Sequence, residues 1–189
     1  TNSTADFTMD RSTPTAAVTV PADGATLAVL PNLSGTANDP GAAPSGLLAV
    51  EVQVRRASDG LYWNWAAGAW GAAALSTSPA LGSPWTLPVP AALRASLAHG
   101  ATYFVSARAA DNAVPANLGT FAVGSSFTWT DTTAPSAVTD LAASSGTAPG
   151  DLRLSWTAPG DDGSSGVIGL GQFRVHYATY PAAAFSTSA

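Results

Sequence analysis

Short stretches in which apolar and polar residues alternate make up most of this chain. The clearest example is 48–54, where every second residue is Leu or Val. A period of two is typical of a β-strand with one buried face. Similar stretches lie at 16–20, 85–89, 101–111 and 119–130. We therefore predict an all-β chain of many short strands.

Residues that favour turns separate these stretches and set the order of the predicted strands. Pro21-Ala22-Asp23-Gly24 predicts a turn, and Ser58-Asp59-Gly60 predicts a tight hairpin that leads into residues 61–65. A second strand is predicted over 27–37, and Pro31 within it favours a bulge or a sheet edge. Seven or more short strands at this spacing favour a sandwich of two sheets.

Two segments, 5–18 and 125–138, repeat one pattern of strand residues, Asp, hydroxyl residues, Pro and a new strand. The two prolines lie about one domain length apart, which predicts two copies of an inter-domain joint. Residues 1–13 are then the last strand of a preceding repeat, about Ala5 to Met9, with a linker. Residues 14–133 form a complete β-sandwich, and 134–189 form the first half of a second one.

The predicted second domain begins with three candidate strands. They lie at 137–142, 151–156 and 172–177, each with apolar residues at alternate positions. A sandwich of this kind needs about 100 residues, so we interpret the second domain as incomplete. We expect the chain to be a segment of a larger protein, with flanking domains of the same polypeptide as its first partners.

The composition narrows the possible partners. The 189 residues carry a net charge of −5, and their seven basic residues are all Arg and are scattered. Nucleic-acid binding is not expected, because no basic track is available for a phosphate backbone. No apolar run approaches the roughly 20 residues of a membrane span. The chain has no Cys, so its stability does not depend on a disulfide.

Several motifs carry a resemblance to known families. The Leu-x-x-Gly-x-x-Tyr pattern ending at Tyr103 fits the tyrosine corner of immunoglobulin-like sandwiches. The first domain also resembles bacterial immunoglobulin-like repeats in four segments, namely Ser34–Ala37, Val50–Val54, Tyr62–Trp70 and Ala107–Asn112. The second domain is similar to the first half of a fibronectin type III domain, through Pro135, Val138, Leu141, Leu152, Leu154, Trp156 and the Phe173/Val175/Tyr177 strand. The resemblance implies tandem β-sandwiches in extracellular spacers, adhesion modules or accessory domains of secreted enzymes.

The residues that perform catalysis in most enzymes are sparse here. The sequence contains two His, no Cys and Glu51 as its single Glu, and it has no phosphate-binding Gly-rich loop, metalloprotease helix motif or nucleophile elbow. His99 and His176 are interpreted as surface residues. We expect this chain not to be an enzyme by itself.

An aromatic cluster is the first candidate binding site. Tyr62, Trp63, Trp65 and Trp70 follow the predicted hairpin, with Trp63 and Trp65 on one face of a strand. Exposed indole rings could stack on the sugar rings of a polysaccharide. The alternative is that these side chains pack within the sandwich, as large aromatic residues usually do.

A calcium site is the second candidate, and no other cofactor is expected. Asp111, Asn112, Asn117 and Asp131 are predicted to converge near the end of the first domain. Their carboxylate and amide oxygens are ligands that Ca²⁺ accepts. The alternative is that these side chains cap turns by accepting hydrogen bonds from nearby backbone groups.

Three hypotheses about function follow. The first is a non-catalytic spacer or adhesion stalk within a secreted or cell-surface bacterial protein. The second is an accessory module of a secreted hydrolase, with the tryptophans contacting polysaccharide. The third is a filament subunit that is completed by strands from neighbouring chains. The predicted location is extracellular, and the partner is polysaccharide or a surface protein.

Overall fold

A computed structural model describes residues 9–121, 124–168 and 172–176 of the protein. These residues are mostly β-strand, as the alternating pattern predicted. The chain divides between Thr132 and Thr133 into two compact units. Met9 is the only described residue of the predicted strand Ala5 to Met9, and it is not part of a strand. The rest of that strand lies outside the described residues.

The first unit contains nine described strands and one short helix. The strands are β1 (Thr15–Val20), β2 (Ala25–Leu27), β3 (Leu33–Asn38), β4 (Leu47–Arg56), β5 (Tyr62–Asn64), β6 (Ala69–Gly71), β7 (Trp85–Leu87), β8 (Thr102–Asp111) and β9 (Ser125–Trp129). Helix α1 (Ala91–Ala95) was not predicted from the sequence. Pro90 precedes it, and its five residues are Ala, Leu and Arg, which all favour helix.

Two sheets build the first unit. One has three strands in the order β1-β3-β7, and the other has six in the order β2-β9-β8-β4-β5-β6. The longest pairing joins β4 and β8, which run antiparallel along their whole length. Inward-facing residues of both sheets share one core, so the unit is a sandwich-like arrangement of two layers.

The prediction of one strand over 27–37 was wrong. The chain leaves the larger sheet after Leu27 and enters the smaller one at Leu33, so the segment forms parts of two strands in different layers. Pro31 lies in the crossing, where its missing N–H is not needed by either ladder. Leu30 is buried between the two strands and anchors this crossing in the core.

Large aromatic side chains fill the centre of the first unit. Trp63, Trp85, Tyr103 and Phe127 are its largest fully buried residues, and Val50, Val52 and Val54 line the core from β4. The hydroxyl of Tyr103 accepts a hydrogen bond from the Ala98 N–H at 2.9 Å. This bond ties the segment before β8 to the core, which is the geometry that the Leu-x-x-Gly-x-x-Tyr pattern predicted.

The second unit contains fewer described strands than the first. Strands β10 (Ala142–Ser145) and β11 (Leu152–Ser155) form an antiparallel hairpin. The predicted strand at 137–142 was wrong, because only Ala142 of that segment lies in a strand. The predicted strand at 172–177 was also wrong for 172–176, which contain no strand. Tyr177 lies outside the described residues.

Unlike the first unit, the second has little buried apolar surface among its described residues. Leu141, Leu152 and Val175 are each more than half exposed. Trp156 and Phe173 contact edge to face at 5.4 Å beside a hollow of about 160 Å³. Among the residues the structure describes in either unit, no helix has the length and apolar character needed to cross a membrane.

Candidate metal centre and aromatic cluster

The aromatic cluster predicted after the hairpin lies on strands β5 and β6. Trp63 pairs with Trp70 across the two strands, and their rings contact edge to face with centroids 5.3 Å apart. Trp70 stacks on Tyr103 at 5.5 Å, and Tyr103 stacks on Phe127 at 5.3 Å. The rings therefore form a continuous row from the edge of the larger sheet into the core.

This packing corrects the expectation that Trp63 offers its ring to a ligand. Trp63 is only 1% exposed, so a sugar cannot reach its face. Trp65, Trp70 and Tyr62 are half-buried. The indole N–H of Trp70 donates to the Ser96 hydroxyl at 3.1 Å, which holds this ring against the segment after α1. Burial of apolar rings in the sandwich explains why three of these aromatic residues follow so closely in sequence.

Three carboxylates meet at the end of the first unit where β8 finishes, which we name the Asp111 end. Asp10 precedes β1, Asp39 follows β3, and Asp111 is the last residue of β8. One oxygen from each lies within 4.8 Å of the other two. Since β1 and β3 pair with Thr15 opposite Asn38, the segments that carry Asp10 and Asp39 lie at the same end of the smaller sheet. The side chain of Asn117, which also donates to Asp111, donates to the Asp10 carbonyl and connects that segment with the end of β8.

Backbone amides hold the three carboxylates in place. Asp111 is fully buried and accepts hydrogen bonds from the backbone N–H groups of Ala113 and Asn117. Asp10 accepts from the N–H groups of Ser12 and Ser45 at 2.9 and 2.8 Å. The surrounding loops therefore fix the carboxylate positions before any ligand is considered.

Asp39 differs from the other two in having an oxygen without a partner. Its Oδ2 accepts from the Gly46 N–H at 2.7 Å. Its Oδ1 is inaccessible to solvent and has no hydrogen-bond partner among the described residues. The hydroxyl of Ser45 is in the same condition. A buried oxygen without a donor costs free energy, and a bound cation would remove that cost.

The side chains that converge at the Asp111 end are all carboxylates. The hydrogen bonds from Ser12 and Ser45 lower the pKa of Asp10 below its usual value, so this carboxylate stays ionised. The two ion pairs among the described residues, Arg56–Asp59 and Arg108–Glu51, do not involve this cluster. Converging carboxylates that take part in neither of these ion pairs favour binding of a hard cation, which prefers oxygen ligands.

Only three of the four predicted calcium ligands lie at the Asp111 end, namely Asp111, Asn112 and Asn117. The side-chain N–H₂ of Asn112 donates to the carbonyls of Ser45, Gly46 and Leu47, and that of Asn117 donates to Asp111 at 2.7 Å. Both amides thus position loops around the carboxylates. Sequence reasoning missed Asp10 and Asp39, because each lies in a different loop and no linear motif connects them with Asp111.

Asp131 does not belong to this cluster, and the prediction that it joins Asp111 was wrong. It follows β9, and its N–H donates to Nδ1 of His99 at 3.1 Å. His99 precedes β8, whereas Asp111 ends that ten-residue strand. The two aspartates are therefore separated by about 30 Å, the length of the strand. We name the part of the first unit around His99 and Trp129 the Trp129 end.

Comparisons of the chain with known protein families, with curated proteins and with solved structures returned no match. The class that the structure defines is an all-β protein with a sandwich-like first unit and a β-hairpin in its second unit.

Proposed function

We propose that this chain is a non-catalytic structural segment, a spacer or stalk module of a larger secreted or cell-surface protein. One observation carries the proposal: the polypeptide approaches and leaves the first unit at opposite ends. The carbonyl of Asp10, before β1, accepts a hydrogen bond from Asn117 at the Asp111 end. At the end of β9, the carbonyl of Trp129 accepts one from the Gly100 N–H at 2.8 Å.

This arrangement suits a linear array. Strand β8 runs between the two ends and has ten residues, which corresponds to about 30 Å. A module of this kind adds its own length to a chain of modules, whereas a module with adjacent termini adds little. The tyrosine-corner bond of Tyr103 and the two-layer arrangement also support the resemblance to immunoglobulin-like repeats.

The proposal is tested by measuring the distance between the two ends of the first unit. The chain contains no Cys, so spin labels at Thr13→Cys and Thr132→Cys are unique. Pulsed electron paramagnetic resonance should give a narrow distribution at about 30–40 Å, the strand length plus the label arms. A distance of half this value or less would contradict the spacer proposal.

As a second proposal, the carboxylate cluster of Asp10, Asp39 and Asp111 binds a divalent cation, with Ca²⁺ as the first candidate. Its support is the combination of three converging carboxylates and the buried, unpartnered Oδ1 of Asp39. A cation there would connect the segment before β1, the loop after β3 and the end of β8. It would therefore stabilise the folded first unit by an amount that rises with the logarithm of the cation concentration relative to its Kd.

Thermal unfolding with and without calcium tests the cation proposal. We expect Ca²⁺ to raise the Tm of the wild type after treatment with EDTA, and Asp39→Asn to remove most of this increase. Asp131→Asn is the matched control, since Asp131 lies at the other end of the unit. An equal response of the two variants, or no response of the wild type, would contradict a cation site at the Asp111 end.

A further inference from the structure

Strands β2 and β9, which lie near the two termini of the first unit, pair directly with each other. They run parallel, with Ala25 opposite Phe127 and Leu27 opposite Trp129. Strand β2 follows β1 through the turn at 21–24, so the polypeptide that arrives at the Asp111 end reaches β9 within one strand and one turn. This pairing therefore connects the incoming and the outgoing polypeptide.

Hydrogen bonds beyond the strand ladder extend this contact at both of its ends. The Gly24 N–H donates to the Ser126 carbonyl at 2.9 Å, and the Thr130 N–H donates to the Leu27 carbonyl at 2.8 Å. Gly24 has a φ of 72°, a conformation that residues with a Cβ rarely adopt, and it directs its N–H toward β9.

A carboxylate strengthens the same contact. Oδ1 of Asp23 accepts hydrogen bonds from both the N–H and the hydroxyl of Ser126, each at 2.8 Å. These bonds lower the pKa of Asp23, so the carboxylate is ionised at neutral pH and the bonds are charge-assisted. We name residues 23–27 together with 126–130 the β2–β9 contact.

Tension on the two termini of the first unit loads this contact in a particular direction. A pull on the polypeptide before β1 acts toward the Asp111 end, and a pull on the polypeptide after β9 acts toward the Trp129 end. The two paired strands are then drawn along their own axes in opposite directions. All the bonds between them share the load, whereas a hairpin pulled at its open end loses its bonds one at a time.

We propose that the β2–β9 contact bears mechanical load, so that the first unit resists unfolding when the chain is pulled from its ends. The proposal rests on the spacer function, because only a segment within a stretched array experiences such a load. The pairing of β1 with β3 is loaded along its strands in the same pull, but β3 is not connected to the outgoing polypeptide directly. The β2–β9 contact therefore transmits force between the two termini.

Single-molecule force spectroscopy of the full chain tests this proposal. Handles attached at Thr13→Cys and Thr132→Cys pull the first unit from its ends, and the unfolding rate is measured at constant force. We expect Asp23→Ala to unfold several-fold faster than the parent, because forced unfolding is governed by the unfolding rate and this variant loses two bonds across the loaded strands.

Asp59→Ala is the matched control for this experiment. Asp59 also accepts a backbone N–H, from Leu61, and it binds the Arg56 side chain within the β4–β5 turn. That turn does not lie between the loaded strands, so Asp59→Ala should keep the parent unfolding rate under force. Ser126→Ala, which removes only the hydroxyl, gives a second readout and should also unfold faster, even if Asp23→Ala fails to fold.

The outcomes separate the two proposals. Equal rates for the parent, Asp59→Ala and Ser126→Ala would overturn the load-bearing role, even if the label distance of the spacer test is as expected. A short label distance would overturn the spacer proposal by itself, without any measurement of force. Faster unfolding of the β2–β9 variants alone, with a long label distance, supports both.

Discussion

At the residue scale, single hydrogen bonds to buried groups decide how firmly the loops of the first unit are held. The hydroxyl of Tyr103 lies at the end of a fully buried ring and accepts the Ala98 N–H. Arg94 has a similar role on the surface: its guanidinium donates to the carbonyls of Leu30 and Val89. Arg94 connects α1 to the distant crossing at Leu30, whereas Tyr103 closes a local loop before β8. Neither effect follows from alternation alone.

Removing the Tyr103 hydroxyl should destabilise the protein. Tyr103→Phe keeps the ring and its stacking but leaves the Ala98 N–H without its acceptor, so we expect a loss of about 1 kcal/mol in the free energy of unfolding. Urea denaturation measures this loss. Tyr62→Phe is the control, since Tyr62 is half-buried on strand β5, whereas Tyr103 is fully buried in the core. An equal effect of both variants would contradict the structural role of the hydroxyl.

Acid should destabilise the protein through its turn carboxylates. The pKa values of Asp10, Asp23 and Asp59 are each lowered from a usual 3.8, chiefly by hydrogen bonds from Ser12, Ser126 and Arg56 respectively. A carboxylate whose pKa is lower in the folded state contributes stability above its unfolded pKa. This contribution is lost as the pH falls through the folded value. The free energy of unfolding should therefore decrease steadily below pH 4.

Substitution of one carboxylate isolates its share of this pH dependence. Asp23→Asn cannot ionise, so the difference in stability between it and the wild type should shrink as the pH falls from 5 to 2. Chemical denaturation at several pH values measures the difference. A difference that stays constant over this range would show that the ionised form of Asp23 has no preferential role in folding.

At the element scale, alternation predicted the strands that have one buried face. It failed where the packing partners of a segment determine which sheet the segment joins. Strand β4 was visible because Val50, Val52 and Val54 face one core. The crossing at Pro31 could not be predicted, because β2 and β3 both contain apolar residues. That they belong to different sheets depends on strand pairing, which the alternation pattern does not contain. Asp10 and Asp39 were missed for the same reason, since their proximity to Asp111 depends on strand order.

Gly35 shows how close packing constrains one of these strands. It lies in β3 opposite Val18 on one side and Trp85 on the other. A Cβ at this position would collide with the carbonyl of Ala17 and with the ring of Trp85. The absence of a side chain at Gly35 therefore allows the largest aromatic residue of the smaller sheet to pack against the backbone of its neighbour.

Gly35→Ala should accordingly destabilise the first unit, by about 1–3 kcal/mol or more, as expected for overpacking of a core. Gly71→Ala is the matched control, because Gly71 is also in a strand and a Cβ there has no neighbour within 4 Å. Thermal unfolding of the two variants measures the difference. A Tm for Gly35→Ala equal to that of Gly71→Ala would contradict the packing of Trp85 on β3.

At the scale of the whole molecule, the buried apolar residues are distributed unequally. Every buried hydrophobic residue among the described positions belongs to the first unit. In the second unit, the described apolar residues of the hairpin and of 172–176 are exposed or half-buried. A two-stranded hairpin is at best marginally stable in water without further packing. The stability of the chain therefore resides in its first unit.

Separate expression of the two units tests this distribution. Residues 9–132 should unfold in one cooperative transition, with a Tm close to that of the main transition of the full chain, because they contain the complete core. Residues 133–189 should show no cooperative transition by circular dichroism. A cooperative transition of the shorter fragment would mean that its apolar residues form a core of their own.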